Sequence, residues 1–171
     1  KLERPFFVLA TANPIEQEGV FNLPEAQSDR FLLKIRAQYP TTEEELEIVE
    51  RYAESNAQIK LKPIMKKETI DYLQELTKQV PIARDIKRYA VDLVRSTRTK
   101  KDLIEYGASP RASIGLILAS KARALMEGRN YVSKEDIKLM AYPILRHRIL
   151  LTFEAERNNL SEDDVIRELL K

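Results

Sequence analysis

The rhythm of apolar positions changes once along this chain, near Pro40. Before that point they come in short unbroken runs. Pro5-Phe-Phe-Val-Leu-Ala10 and Phe31-Leu-Leu-Lys-Ile35 are of this kind, and such runs mark strands buried on both faces of a parallel sheet. The first run leads into Thr11-Ala-Asn13-Pro14. A residue before proline is pushed out of the helical region, so Asn13 is expected just past the carboxyl end of a strand. Open α/β sheets bind their ligands at that edge. Ile15 to Leu23 reads as a loop, and Pro24 to Asp29 as a short helix closed by Arg30.

After Pro40 the spacing becomes helical throughout. Thr42-Glu-Glu-Glu45 predicts a capping box, followed by a face of Leu46, Val49 and Tyr52. Ile70, Leu73 and Leu76 share the face of a second helix. Ile86, Tyr89, Ala90, Leu93 and Val94 mark a third, which dissolves into the polar run Ser96 to Asp102. Ser109-Pro110 then opens a long helix to Glu127, with Ile114, Ile117, Leu118 and Leu125 as its expected buried stripe. Ser133-Lys-Glu-Asp136 and Ser161-Glu-Asp-Asp164 are two more capping boxes. They lead helices carrying Ile137, Met140, Ala141, Ile144 and Leu145, and then Val165, Ile166, Leu169 and Leu170. Two strands without neighbours are marginal, whereas the helical part is large enough to hold its own core. The predicted division is therefore residues 1–40, a remnant of an α/β core, and residues 41–171, a helical domain.

Composition narrows the chemistry. The 171 residues are 43% hydrophobic and 33% charged, with a formal net charge of +2. A charge this small gives no support to nucleic-acid binding. Cysteine is absent, which excludes disulfides and thiol catalysis and fits a reducing, cytoplasmic setting. A single histidine, His147, leaves no material for a histidine metal site, and it reads as a surface or cap residue. No apolar run is long enough to span a bilayer. The opening Lys1-Leu-Glu-Arg4 reads as an internal piece of a longer protein rather than as a natural start.

Three positions carry the candidate chemistry. Asn13 follows a strand, Arg30 follows a short helix, and Arg111 sits in the first turn of the long helix. Helix N-termini favour negative charge, so an arginine there makes sense if an anion is to arrive. An amide can orient a water, and a guanidinium binds phosphate oxygens bidentately. Both are groups that phosphoryl transfer uses. Each also has a plain structural reading: Asn13 as a turn residue, Arg30 paired with Asp29 or Glu25, and Arg111 solvated.

In order and spacing, Phe7-Val-Leu-Ala-Thr-Ala-Asn-Pro-Ile-Glu-Gln-Glu-Gly19, Leu23-Pro-Glu-Ala-Gln-Ser-Asp-Arg-Phe31, Gly107-Ala-Ser-Pro-Arg-Ala-Ser113 and Leu145-Arg-His-Arg148 with Glu154-Ala-Glu156 resemble the MoxR family of AAA+ ATPases. The resemblance implies a mainly α fold: the AAA+ helical lid bundle, preceded by a two-strand remnant of the α/β P-loop core. It implies Asn13 as the sensor-1 residue that positions the attacking water. Arg30 would be the arginine finger that reaches a neighbouring subunit's nucleotide in a ring. Arg111 would be the sensor-2 arginine of the lid, on the phosphates. It further implies ATP and Mg²⁺ as the cofactors of the parent protein, remodelling or maturation of protein complexes as its work, and von Willebrand factor A domain proteins as partners.

No G-x-x-x-x-G-K-[ST] occurs, and no apolar strand ends in paired acids. This chain alone is therefore expected to hold no nucleotide stably, and residues 1–40 to be poorly packed or rearranged. The competing readings are a helical interaction module that works without nucleotide, and a piece of a nucleic-acid-related AAA+ motor.

Overall fold

The computed structural model describes residues 3, 5–12, 24–54 and 61–171. Along them run α1 (Glu25–Ser28), α2 (Thr42–Val49) continued by a π-helical turn (Glu50–Glu54), α3 (Lys67–Gln79), α4 (Arg84–Thr99), β1 (Ile104–Tyr106), α5 (Pro110–Met126), α6 (Lys134–Leu145), β2 (Leu150–Leu151), α7 (Phe153–Arg157) and α8 (Glu162–Leu169). The fold is mainly helical, as expected.

Helix starts follow local chemistry. The Ser133 and Ser161 side chains accept from the amides of Asp136 and Asp164, whose carboxylates return the bond, closing both capping boxes. Ser109 caps α5 with Pro110 at its first position. The box at α2 lies one residue earlier than predicted: Thr41 is the N-cap and Glu44 the reciprocal partner. Thr41-Thr42 followed by Glu43-Glu44-Glu45 offers the same chemistry in two registers, and the structure takes the first.

The core belongs to α4, α5, α6 and α8 with the two short strands. Leu93, Val94, Ile104, Leu116, Ile137, Ile144, Leu145, Val165 and Ile166 are all buried. The predicted stripe on α5 is half right: Ile117 and Leu125 pack against the core. Ile114 and Leu118 face solvent, and the buried positions are Ala112, Gly115, Leu116, Ala119, Ser120 and Ala124. Small residues let the backbones of packed helices approach, so α5 buries its short side chains and leaves two branched ones outside.

The one sheet among the described residues was not anticipated. β1 and β2 pair antiparallel, Ile104 with Leu151 and Tyr106 with Leu150, across an irregular register. Neither predicted N-terminal strand forms. Residues 6–10 and 33–40 carry no regular secondary structure. Phe7 and Leu9 are 78% and 84% exposed. A strand needs a neighbouring strand to bond to, and neither run pairs with one among the described residues. The predicted poor packing of the described part of residues 1–40 is thus observed, with one exception: residues 28–36 lie against the bundle.

Candidate functional site

The start of α5 is fixed by the end of α4. Gly107 passes so close that a Cβ there would lie 2.6 Å from the Thr97 carbonyl oxygen, so only glycine fits. The next amide, Ala108 N–H, donates to Thr97 Oγ1 at 3.0 Å, and Arg98 Nε donates to the Ala108 carbonyl at 2.8 Å. Ser109 is thereby held where its Oγ accepts from the Arg111 amide at 3.2 Å. The same hydroxyl donates to the Asp29 carboxylate, with Oδ2 at 3.0 Å. Arg111 Nη1 lies 3.4 Å from Asp29 Oδ2, and its side chain stays 57% exposed. No acid occupies the first turn of α5. The anion that this cationic helix start calls for comes instead from Asp29, 82 residues away along the chain.

Asp29 is brought there by the segment that follows α1. Arg148 Nε donates to Asp29 Oδ1 at 3.0 Å, and its guanidinium also meets the carbonyls of Asp29, Phe31, Leu32 and Ile144. His147 Nε2 stands 3.0 Å from the Phe31 carbonyl. Arg146 forks onto Asp163 at 3.1 Å and donates to the Lys34 carbonyl at 3.2 Å. The Lys34 amide donates to the Pro143 carbonyl at 2.8 Å, and Arg36 pairs with Glu162 and Asp163. Beside the junction, Asp29, Tyr106, Ser109 and His147 line a cleft of about 200 Å³.

Electrostatics follow the contacts. Burial pushes the Asp29 carboxyl up, but Ser109, Arg148 and Arg111 outweigh it and hold it below the usual value. Burial lowers Arg148 and Asp29 raises it; a guanidinium remains charged in either case. Burial dominates at His147 and holds it at about 4 against the bond to Phe31, so the ring is neutral at pH 7. Its Nδ1 is buried with no partner among the described residues. The expectation of a surface histidine fails: the ring is half-buried under the docked segment.

Of the three predicted site residues, Asn13 lies outside the described residues. Arg30 is exposed, and its side chain makes no ion pair or hydrogen bond among the described residues. Arg111 is not simply solvated. Arg30 and Arg111 meet through one residue, since Asp29 is the chain neighbour of the first and the ion partner of the second. Sequence reasoning quoted Arg148 within a motif but gave it no role. The available signal was a trio of basic side chains just past the end of α6, where helices favour cations. Among the described residues no group of three acids or imidazoles could hold a metal ion. The donor set of Ser109, Arg30 and Arg111 suits phosphate oxygens and not magnesium.

The comparisons agree with this architecture. Residues 95–169 match the AAA lid domain family, and residues 1–33 match the ATPase family associated with various cellular activities. The chain is 41% identical over 175 residues to the chaperone MoxR1 of Mycobacterium tuberculosis, covering 98% of this chain and 46% of that protein. It is 40% identical over 170 residues to the YeaC protein of Bacillus subtilis, covering 99% of this chain and 53% of that one. A crystal structure from Cytophaga hutchinsonii, described as that of a candidate ATPase, superposes with a TM-score of 0.90 at 41% identity, over 99% of this chain and 54% of that one. The chain thus spans about half the length of the relatives it matches.

Proposed function

Because the chain belongs to the MoxR family of AAA+ ATPases, we propose that it is the sensor and lid portion of an ATP-hydrolysing machine. In this reading residues 1–40 complete an α/β core and residues 41–171 form the lid. Asn13 orients the attacking water, Arg30 is the finger presented to a neighbouring subunit, and Arg111 reads the phosphates from the lid. ATP with magnesium, held by a P-loop core, supplies the phosphoryl group and part of the charge neutralisation. This chain contributes cations: a guanidinium offsets charge that develops on the phosphate oxygens and costs little reorganisation if it is already in place. The machine assembles as a homo-oligomeric ring in the cytoplasm. It remodels or matures protein complexes and takes von Willebrand factor A domain proteins, rather than nucleic acid, as partners.

One observation carries the reading. The Asp29 carboxylate fills an anion's place at the Arg111 helix start, and its chain neighbour Arg30 is exposed, with no side-chain ion pair among the described residues. In the complete ATPase, Arg30→Ala is expected to abolish turnover while largely sparing ATP binding, measured as steady-state hydrolysis and as nucleotide titration. Retained turnover removes Arg30 from the finger role. The 171-residue chain alone is expected to show no turnover, and robust hydrolysis by it would overturn this division of labour.

A further inference from the structure

Arg30 extends into solvent, yet the backbone around it is held on both sides by one buried side chain. The Arg148 side chain is only 3% exposed. Its Nη2 donates to the carbonyls of Asp29, at 3.0 Å, and of Phe31; these two residues flank Arg30. Its Nη1 donates to Leu32 at 3.1 Å and to Ile144 at 2.6 Å, and its Nε to Asp29 Oδ1 at 3.0 Å. Every N–H of the guanidinium therefore has an acceptor. Four of the five bonds end on residues 29–32, and the fifth ties them to α6. Among these acceptors only Asp29 Oδ1 carries charge; the others are backbone carbonyls. A charge partner for Asp29 alone would not require a fork that spans the peptide groups around residue 30.

We propose that Arg148 is the positioning residue of Arg30. It locks the Asp29–Leu32 backbone onto the lid, so that the Arg30 side chain leaves a fixed base. The proposal rests on the finger reading of Arg30. An arginine on an unrestrained loop would have to be ordered during the reaction, whereas a clamped one has met that cost on folding. Lysine cannot replace the clamp, because an ammonium is a point donor without the planar fork.

The test uses two samples. In the complete ATPase, Arg148→Lys is expected to lower kcat tenfold or more, with KM and the nucleotide Kd within threefold of wild type. Asp29→Asn, a milder change at a less buried position, is expected to lower kcat at least threefold with the same unchanged binding. Arg129→Lys loosens a different buried ion pair of the lid, with Asp136. It is expected to reduce thermal stability without lowering kcat, which separates positioning from general loosening. In the 171-residue chain, Arg148→Lys is expected to speed hydrogen exchange at the Lys34 amide about tenfold.

Wild-type kcat in both Arg148→Lys and Asp29→Asn overturns the proposal. So does an unchanged Lys34 exchange rate, or a fall in kcat for Arg129→Lys as large as that for Arg148→Lys. If Arg148→Lys does not fold, the Asp29→Asn result decides. If Arg30→Ala retains turnover, the finger reading itself fails. If Arg30→Ala abolishes turnover and the clamp variants do not lower it, only the positioning role fails.

Discussion

The bundle and the N-terminal arm have comparable apolar side chains and opposite fates. Leu116 and Ile144 in the bundle are fully buried, while Leu9 and Ile35 in the arm, residues 1–40, are 84% and 80% exposed. The difference lies in who supplies the neighbour. Helical stripes on α4, α5, α6 and α8 find one another within the same chain. The strand-like runs at residues 6–10 and 31–35 need strands that do not occur among the described residues. Between these extremes, residues 28–36 reach the lid through carbonyls, carboxylates and guanidiniums. An apolar pattern states that a segment is to be covered, and says nothing of what covers it.

Four changes break or sharpen that contrast. The largest effect is expected in the bundle at Asp136. Burial raises its pKa, but bonds from Arg129 and Ser133 outweigh this and hold it at about 2. Asp136→Ala removes one partner of a buried pair and is expected to cost about 3–5 kcal/mol in urea unfolding. With the folded pKa depressed, the wild-type contribution is present above about pH 4 and is lost as pH falls through about 2.

Next is a matched pair of truncations. Ile144→Ala, in the core, is expected to cost about 2–4 kcal/mol. Ile35→Ala, in the arm, is expected to change stability by about 0.5 kcal/mol or less. Equal costs in urea unfolding would mean that the arm carries a core of its own.

How much of this the sequence disclosed depended on distance along the chain. The caps at Ser109, Ser133 and Ser161 were legible because a cap is settled within four residues. The α2 cap slipped by one because Thr41 and Thr42 are chemically equivalent. The α5 stripe was read only in part, at Ile117 and Leu125, because periodicity weights large side chains and here Ala112, Gly115 and Ala119 are buried as well. The β1–β2 pair and the Arg148–Asp29 bond were out of reach: the second joins residues 119 apart, and no local spacing encodes such a partner. Arg30 and Arg111 stood out by their positions and by motif resemblance; the Asp29 carboxylate that meets Arg111 emerged only in three dimensions.

A third, smaller effect separates the docked segment from the bundle by pH. His147 is neutral when docked, chiefly through burial, with Arg148 and Lys34 also opposing protonation and Asp29 favouring it. Its folded pKa of about 4 lies below the unbound value of about 6.5. Docking is therefore strongest above about pH 6.5 and is lost as pH falls towards 4. After a discount for the water that still reaches the ring, the loss is on the order of 1–2 kcal/mol. Hydrogen exchange at the Lys34 amide should accelerate through that window, while the amides of α5 stay protected. The smallest effect is expected for Ser109→Ala, which removes a cap and a bond to Asp29 at a cost of about 1 kcal/mol in thermal unfolding.

Gly115 gives the docked arm a size limit. A Cβ at that position would stand 3.2 Å from the Leu32 Cδ1 and 3.4 Å from the Ile144 Cδ1. The bare backbone of α5 is thus a notch one methyl deep that admits a leucine from the arm. A methyl added at position 115 would press on the tip of Leu32 and require it to shift by a few tenths of an ångström. The arm therefore meets the lid through a fitted apolar contact as well as through charge.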